Sequence, residues 1–162
     1  MSIRLNITEH WIEVGSKPKR VMTIDEYLEE QCEVCLDQLQ VFEISLKDYL
    51  SRKKDQRFLE RTLHLACECC IDIAAHIISR QGFREPKDNK DLFAILFENK
   101  IISENVCNTM IKMAKFRNII VHDYARIEPE IVLGILKRDI DDFKNFARGI
   151  IGYMDTESDK PS

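Results

Sequence analysis

Apolar residues recur at steps of three and four along most of this 162-residue chain, and that period constrains the fold more than any other feature. Ile24, Leu28, Cys32, Cys35, Leu39, Phe42, Leu46 and Leu50 form one stripe. Leu59, Leu63, Ala66, Cys70, Ile73 and Ile77 form a second; Val106, Met110, Met113 and Ile120 a third. A fourth runs through Ile131, Ile135, Leu136, Ile140, Phe143, Phe146 and Ile150. Strands would alternate with period two, whereas steps of three and four bury one face of a helix. With only five Gly and four Pro, the chain lacks the turn residues of an all-β fold. The expected fold is an all-α bundle of four to five helices.

Local signals set the boundaries. Thr23-Ile24-Asp25-Glu26 has capping-box spacing, with hydroxyl and carboxylate satisfying reciprocal backbone donors, so one helix is expected from there to Leu50. Ser51 to Asp55 reads as the next turn, and a second helix covers roughly 56–80. Gly82 and Pro86 end it. A short helix follows at about 88–98, then a fourth from an N-cap at Ser103, and a fifth from Glu128-Pro129. Residues 1–22, with Trp11, Gly15 and Pro18, form an N-terminal arm that adds a short strand or a turn of helix. Residues 23–152 make the helical domain, and 153–162 a polar tail with nothing to bury, expected to be disordered. Leu65, Cys69, Ala74 and Ile78 widen the second helix's stripe, as a second packing partner such as another subunit would require.

The net charge of −4 argues against a nucleic-acid coat protein, which needs a strongly basic surface. It permits an enzyme that meets RNA at one small basic site. The longest apolar runs are too short to span a bilayer, and Met1 to Asn6 lacks the apolar core of a signal peptide. The expectation is a soluble, cytoplasmic protein. Cys32-x-x-Cys35 and Cys67-x-x-Cys70 could offer four thiolates to zinc. Six cysteines within helical patterns in a reducing compartment are better read as small buried hydrophobes, so no metal and no cofactor are expected.

The segment Arg117-Asn118-Ile119-Ile120-Val121-His122-Asp123-Tyr124 gathers polar chemistry at the end of an apolar helical stretch. Arg offers a permanently charged planar fork suited to phosphate; His exchanges protons near neutral pH. Arg117 and Tyr124, seven apart, share a helix face, as do Asn118 and His122, four apart. Arg117 and His122 diverge by about 140° at 3.6 residues per turn. Either the helix loosens at His122 or a second subunit completes the site. Asp123 beside the imidazole could favour its charged form.

Arg117-x-x-x-x-His122-x-Tyr124 resembles the signature of the HepT toxins, a branch of the HEPN superfamily. The resemblance extends over about residues 56–150. It takes in Cys69-Cys70-Ile71-Asp72-Ile73-Ala74-Ala75-His76, similar to a family helix ending Ala-Asn-His but with Ala75 in place of Asn, and Met113 to Tyr124. It implies a homodimeric toxin of a type VII toxin–antitoxin system, acting as a metal-independent endoribonuclease with a composite site at the dimer interface. By the same resemblance Arg117 binds the scissile phosphate and His122 serves as general base or acid, with Asn118 and Asp123 supporting. RNA is the implied substrate, tRNA among the candidates, because its 2′-hydroxyl supplies an internal nucleophile. The implied partner is an MntA-type nucleotidyltransferase antitoxin that AMPylates Tyr124, placing a bulky anion beside Arg117.

Other residues carry weaker signals. Asp72 and His76, four apart, read as a satisfied buried pair. His10 and His64 show no cluster. Arg52, Lys53, Lys54, Arg57 and Arg61 read as a solvated charged face. The main competing function is a non-catalytic helical module that binds nucleotides or scaffolds a nucleotidyltransferase.

Overall fold

The computed structural model describes residues 4–6, 11–14, 20–23, 37–39, 44–122 and 127–158. The helical period prevails: among the described residues, six α-helices form the body. They are α1 (Leu46–Ser51), α2 (Lys53–Gln81), α3 (Asn89–Glu98), α4 (Glu104–His122), α5 (Pro129–Gly134) and α6 (Ile140–Ser158). The described residues of the arm form strands. β1 (Arg4–Asn6), β2 (Trp11–Val14) and β3 (Arg20–Thr23) form an antiparallel sheet in the order β1-β2-β3, with Arg4 opposite Glu13 and Trp11 opposite Thr23.

The expected helix from Ile24 to Leu50 is corrected. Ile44 and Ser45 are non-helical, and Ser45 in extended conformation accepts from the Asp48 amide at 3.1 Å to start α1 afresh. A hydroxyl that can satisfy an orphan amide favours such a restart over continuation. Residues 24–36, and with them most of the capping box, Cys32 and Cys35, lie outside the described residues. The expected turn at 51–55 shrinks to Arg52, and α2 begins at Lys53. Its charged start is solvated and self-paired, Arg52 lying 3.8 Å from both Asp48 and Asp55.

α2 is the central helix. Leu59, Leu63, Ala66, Cys70, Ile73 and Ile77 are all buried, as are Cys69, Ala74 and Ile78. The wide stripe is therefore met largely by packing within this chain, with α1, α3 and α4 against it. Leu65, at 37% exposure, is the part of that stripe left outside. At 29 residues α2 is long and apolar enough to cross a bilayer, but 61% of its most apolar window is buried in the bundle. Gly82 closes it at φ +67°, its N–H and that of Phe83 both donating to the Ile78 carbonyl. A Cβ makes this left-handed conformation costly.

α3 is short for an independent helix. Asp88 caps it, and Leu92, Phe93, Ile95 and Leu96 are buried, each contributing about 1.5–3 kcal/mol. Phe93 meets Phe146 of α6 edge-on, centroids 5.7 Å apart. Thr109 of α4 donates to Asp142 of α6 at 2.6 Å.

The expected single fifth helix is interrupted by a π-helical turn, Ile135–Asp139, between α5 and α6. Ile135 and Ile140, five apart, would diverge on a regular α-helix; the wider turn brings both into the core. α6 then continues to Ser158 with Met154 buried, so the helix reaches into the expected 153–162 tail. Tyr153 and Met154 supply apolar anchors that the polar composition further along obscured.

Candidate active site

α4 delivers the Arg117 segment. Ser103 caps it through the Val106 amide at 3.3 Å, and Val106, Met110, Met113 and Phe116 anchor its inner face. Beyond Phe116 the helix emerges from the core: Arg117 to Ile120 are half-buried, while Val121 and His122 are exposed. The helix stays regular through His122, the last of its described residues. No loosening before that residue rotates the imidazole towards Arg117, so the two side chains leave the axis about 140° apart. Asp123 and Tyr124 lie outside the described residues.

Arg117 is held from α2. Its Nε donates to Glu68 Oε1, and its Nη1 lies 3.4 Å from Asn118 Oδ1. The same Oε1 lies 3.2 Å from His64 Nε2, and His64 Nδ1 lies 3.3 Å from Arg61 Nη1. Arg61, His64 and Glu68 are one turn apart along α2, which sets them in a row. His64, read from sequence as isolated, is thus one carboxylate away from Arg117. Arg61 belongs to this cluster and not simply to a solvated face. Glu68 was also missed, although a signal existed: a carboxylate between Cys67 and Cys69 interrupts an apolar run and needs a partner.

The other candidates do not join. His76 has its Nε2 buried without a hydrogen-bond partner, so the expected pairing with Asp72 does not form through that nitrogen. Burial, reinforced by Arg80, lowers the His76 pKa to about 4. Cys67 and Cys70 are core residues, and burial, then the Glu68 charge, pushes the Cys67 thiol well up. A thiol held protonated packs as a small hydrophobe. Among the described residues no group of three or more His, Cys, Asp or Glu side chains is gathered as a metal cage. His10 lies outside the described residues.

Residues 17–150 match the model of the Ribonuclease HepT-like family. The chain is 37% identical over 84 residues to the mRNA nuclease HepT of Shewanella oneidensis, an alignment covering 52% of this chain and 63% of that relative's length. It is 32% identical over 122 residues to the tRNA nuclease HepT of Aphanizomenon flos-aquae, covering 75% of this chain and 83% of that protein. Among solved structures, a tri-AMPylated Shewanella oneidensis HEPN toxin in complex with an MNT antitoxin superposes with a TM-score of 0.72 at 28% identity. That match covers 80% of this chain and 96% of that one. The chain belongs to the Ribonuclease HepT-like family.

Proposed function

We propose that this Ribonuclease HepT-like protein is the toxin of a type VII toxin–antitoxin pair, a cytoplasmic, metal-independent endoribonuclease. The carrying observation is the Arg117 guanidinium, pinned by Glu68 at the bundle surface on the same helix as an exposed His122. Two relatives named as nucleases of different RNAs support RNA as the substrate class.

Attack of the ribose 2′-oxygen on phosphorus forms one P–O bond and breaks the bond to the 5′-oxygen. A base removes the 2′-hydroxyl proton and an acid protonates the leaving oxygen. Charge developing on the non-bridging oxygens is met by Arg117. The divergence of Arg117 and His122 on one regular helix favours a site built from two copies of the chain. Two copies also supply two imidazoles, one for each proton transfer, with Asn118 and Asp123 in support. This chemistry requires no metal.

Control would fall on Tyr124. An MntA-type nucleotidyltransferase antitoxin transfers AMP to the phenol, and the added phosphates occupy the cationic site by charge and bulk. The solved complex of an AMPylated HEPN toxin with its MNT antitoxin supports this reading. Expression of the chain without an antitoxin should arrest growth, and Arg117→Ala and His122→Ala should each relieve the arrest. Full toxicity in both variants would remove the assignment.

A further inference from the structure

We propose that Glu68 is the positioning residue of the phosphate site, a role that rests on reading Arg117 as the phosphate-binding group. One oxygen, Oε1, accepts from Arg117 Nε and lies 3.2 Å from His64 Nε2. Arg61 Nη1 stands 3.3 Å from the other ring nitrogen. A guanidinium only donates, so His64 Nδ1 presents its lone pair to Arg61 and Nε2 carries the hydrogen that Glu68 accepts. The ring in this tautomer is a second anchor on the carboxylate oxygen that Arg117 engages. Arg61, His64 and Glu68 thus form one row along α2 that ends on Arg117 of α4.

The donor count shows what this arrangement leaves open. Of the five N–H groups of Arg117, Nε–H is committed to Glu68 and one Nη1–H faces Asn118. The remaining Nη donors have no partner among the described residues, and 23% of the side chain stays exposed. Holding the guanidinium at Nε leaves terminal Nη donors open among the described residues, the edge suited to phosphate oxygens. An unpinned Arg would lose rotamer freedom on binding; Glu68 meets that cost in the fold beforehand. Two guanidiniums stand against one carboxylate, so the row remains cationic towards an anion.

Glu68 therefore acts through Arg117, and a double-variant cycle reads this directly. The probe is a mixed-sequence 2′-O-methyl RNA, which has no free 2′-hydroxyl to attack, titrated at fixed salt into the full chain and its variants. Glu68→Ala should weaken binding about tenfold and slow cleavage of unmodified RNA on the order of 10²-fold. Glu68→Gln, which keeps an acceptor oxygen, should fall between wild type and Glu68→Ala, and it carries the test if the alanine variant does not fold. In an Arg117→Ala background, Glu68→Ala should change affinity no further. If Arg117→Ala weakens binding while the Glu68 variants bind like wild type, Glu68 is a bystander and the inference falls alone. Tighter binding by Glu68→Ala would make the carboxylate a competitor of phosphate, also overturning it. An undiminished Glu68 effect without Arg117 would do the same. Wild-type binding and cleavage by Arg117→Ala would instead remove the Arg117 reading itself.

Discussion

Glu68 on α2 and Arg117 on α4, 49 residues apart in the chain, are joined through Glu68 Oε1 and Arg117 Nε at the surface of the bundle. This pair ties the segment with the most specific chemistry to the most deeply packed helix. It also sets what the site variants should do to the fold.

Arg117→Ala should leave the protein folded. The pair keeps 23% and 30% of its side chains exposed, so it contributes about 1 kcal/mol or less to stability. Urea unfolding checks this. A loss several times larger would mean that the site variants report on folding and not on chemistry.

A larger stability loss is expected at Tyr49. Its hydroxyl donates to Glu60 at 2.6 Å, with Tyr49 fully buried and Glu60 at 4% exposure. Tyr49→Phe keeps the ring and removes a donor from a buried carboxyl group, which should cost about 1–3 kcal/mol. An unchanged unfolding midpoint would show that the contact carries no net stability.

The helical class, the cap at Ser103, the Gly82 stop and the buried stripes of α2 and α4 were legible because each is a local pattern read at helical spacing. The break at Ile44-Ser45 was not, since the apolar stripe continues through it and only the Ser45 cap reveals the restart. The π turn was hidden in a spacing of five between Ile135 and Ile140 that ordinary helical tolerance absorbs. In the site, Arg117 and His122 stood out by type and order, but Glu68, which holds Arg117, and His64 beside it are distant in sequence. His64 and Glu68 are an ordinary i,i+4 pair until tertiary packing sets Arg117 beside them.

His76 should make stability depend on pH. Its folded pKa lies near 4 against an ordinary 6.5, so above 6.5 both states hold a neutral ring and no penalty exists. As pH falls from 6.5 towards 4 the unfolded chain takes up a proton that the native state refuses, and stability declines. Melting temperatures at pH 7 and 5 should fall further apart in wild type than in His76→Gln. Equal shifts in the two proteins would contradict this.

Tyr124 should be the acceptor of AMP. After incubation with an MntA-type nucleotidyltransferase and ATP, intact mass should rise by one or more AMP units mapped to Tyr124, and the modified protein should lose RNA cleavage. Tyr124→Phe should gain no mass. Modification at another residue would remove Tyr124 as the switch.

RNA cleavage that depends on Arg117 and His122 and needs no metal can be read in one assay. Purified protein is incubated with RNA in excess EDTA, beside Arg117→Ala and His122→Ala variants shown to be folded. The wild-type chain should cleave, and each variant should lose at least about 10²-fold. Cleavage that vanishes in EDTA, or that both variants retain at the wild-type rate, would contradict it.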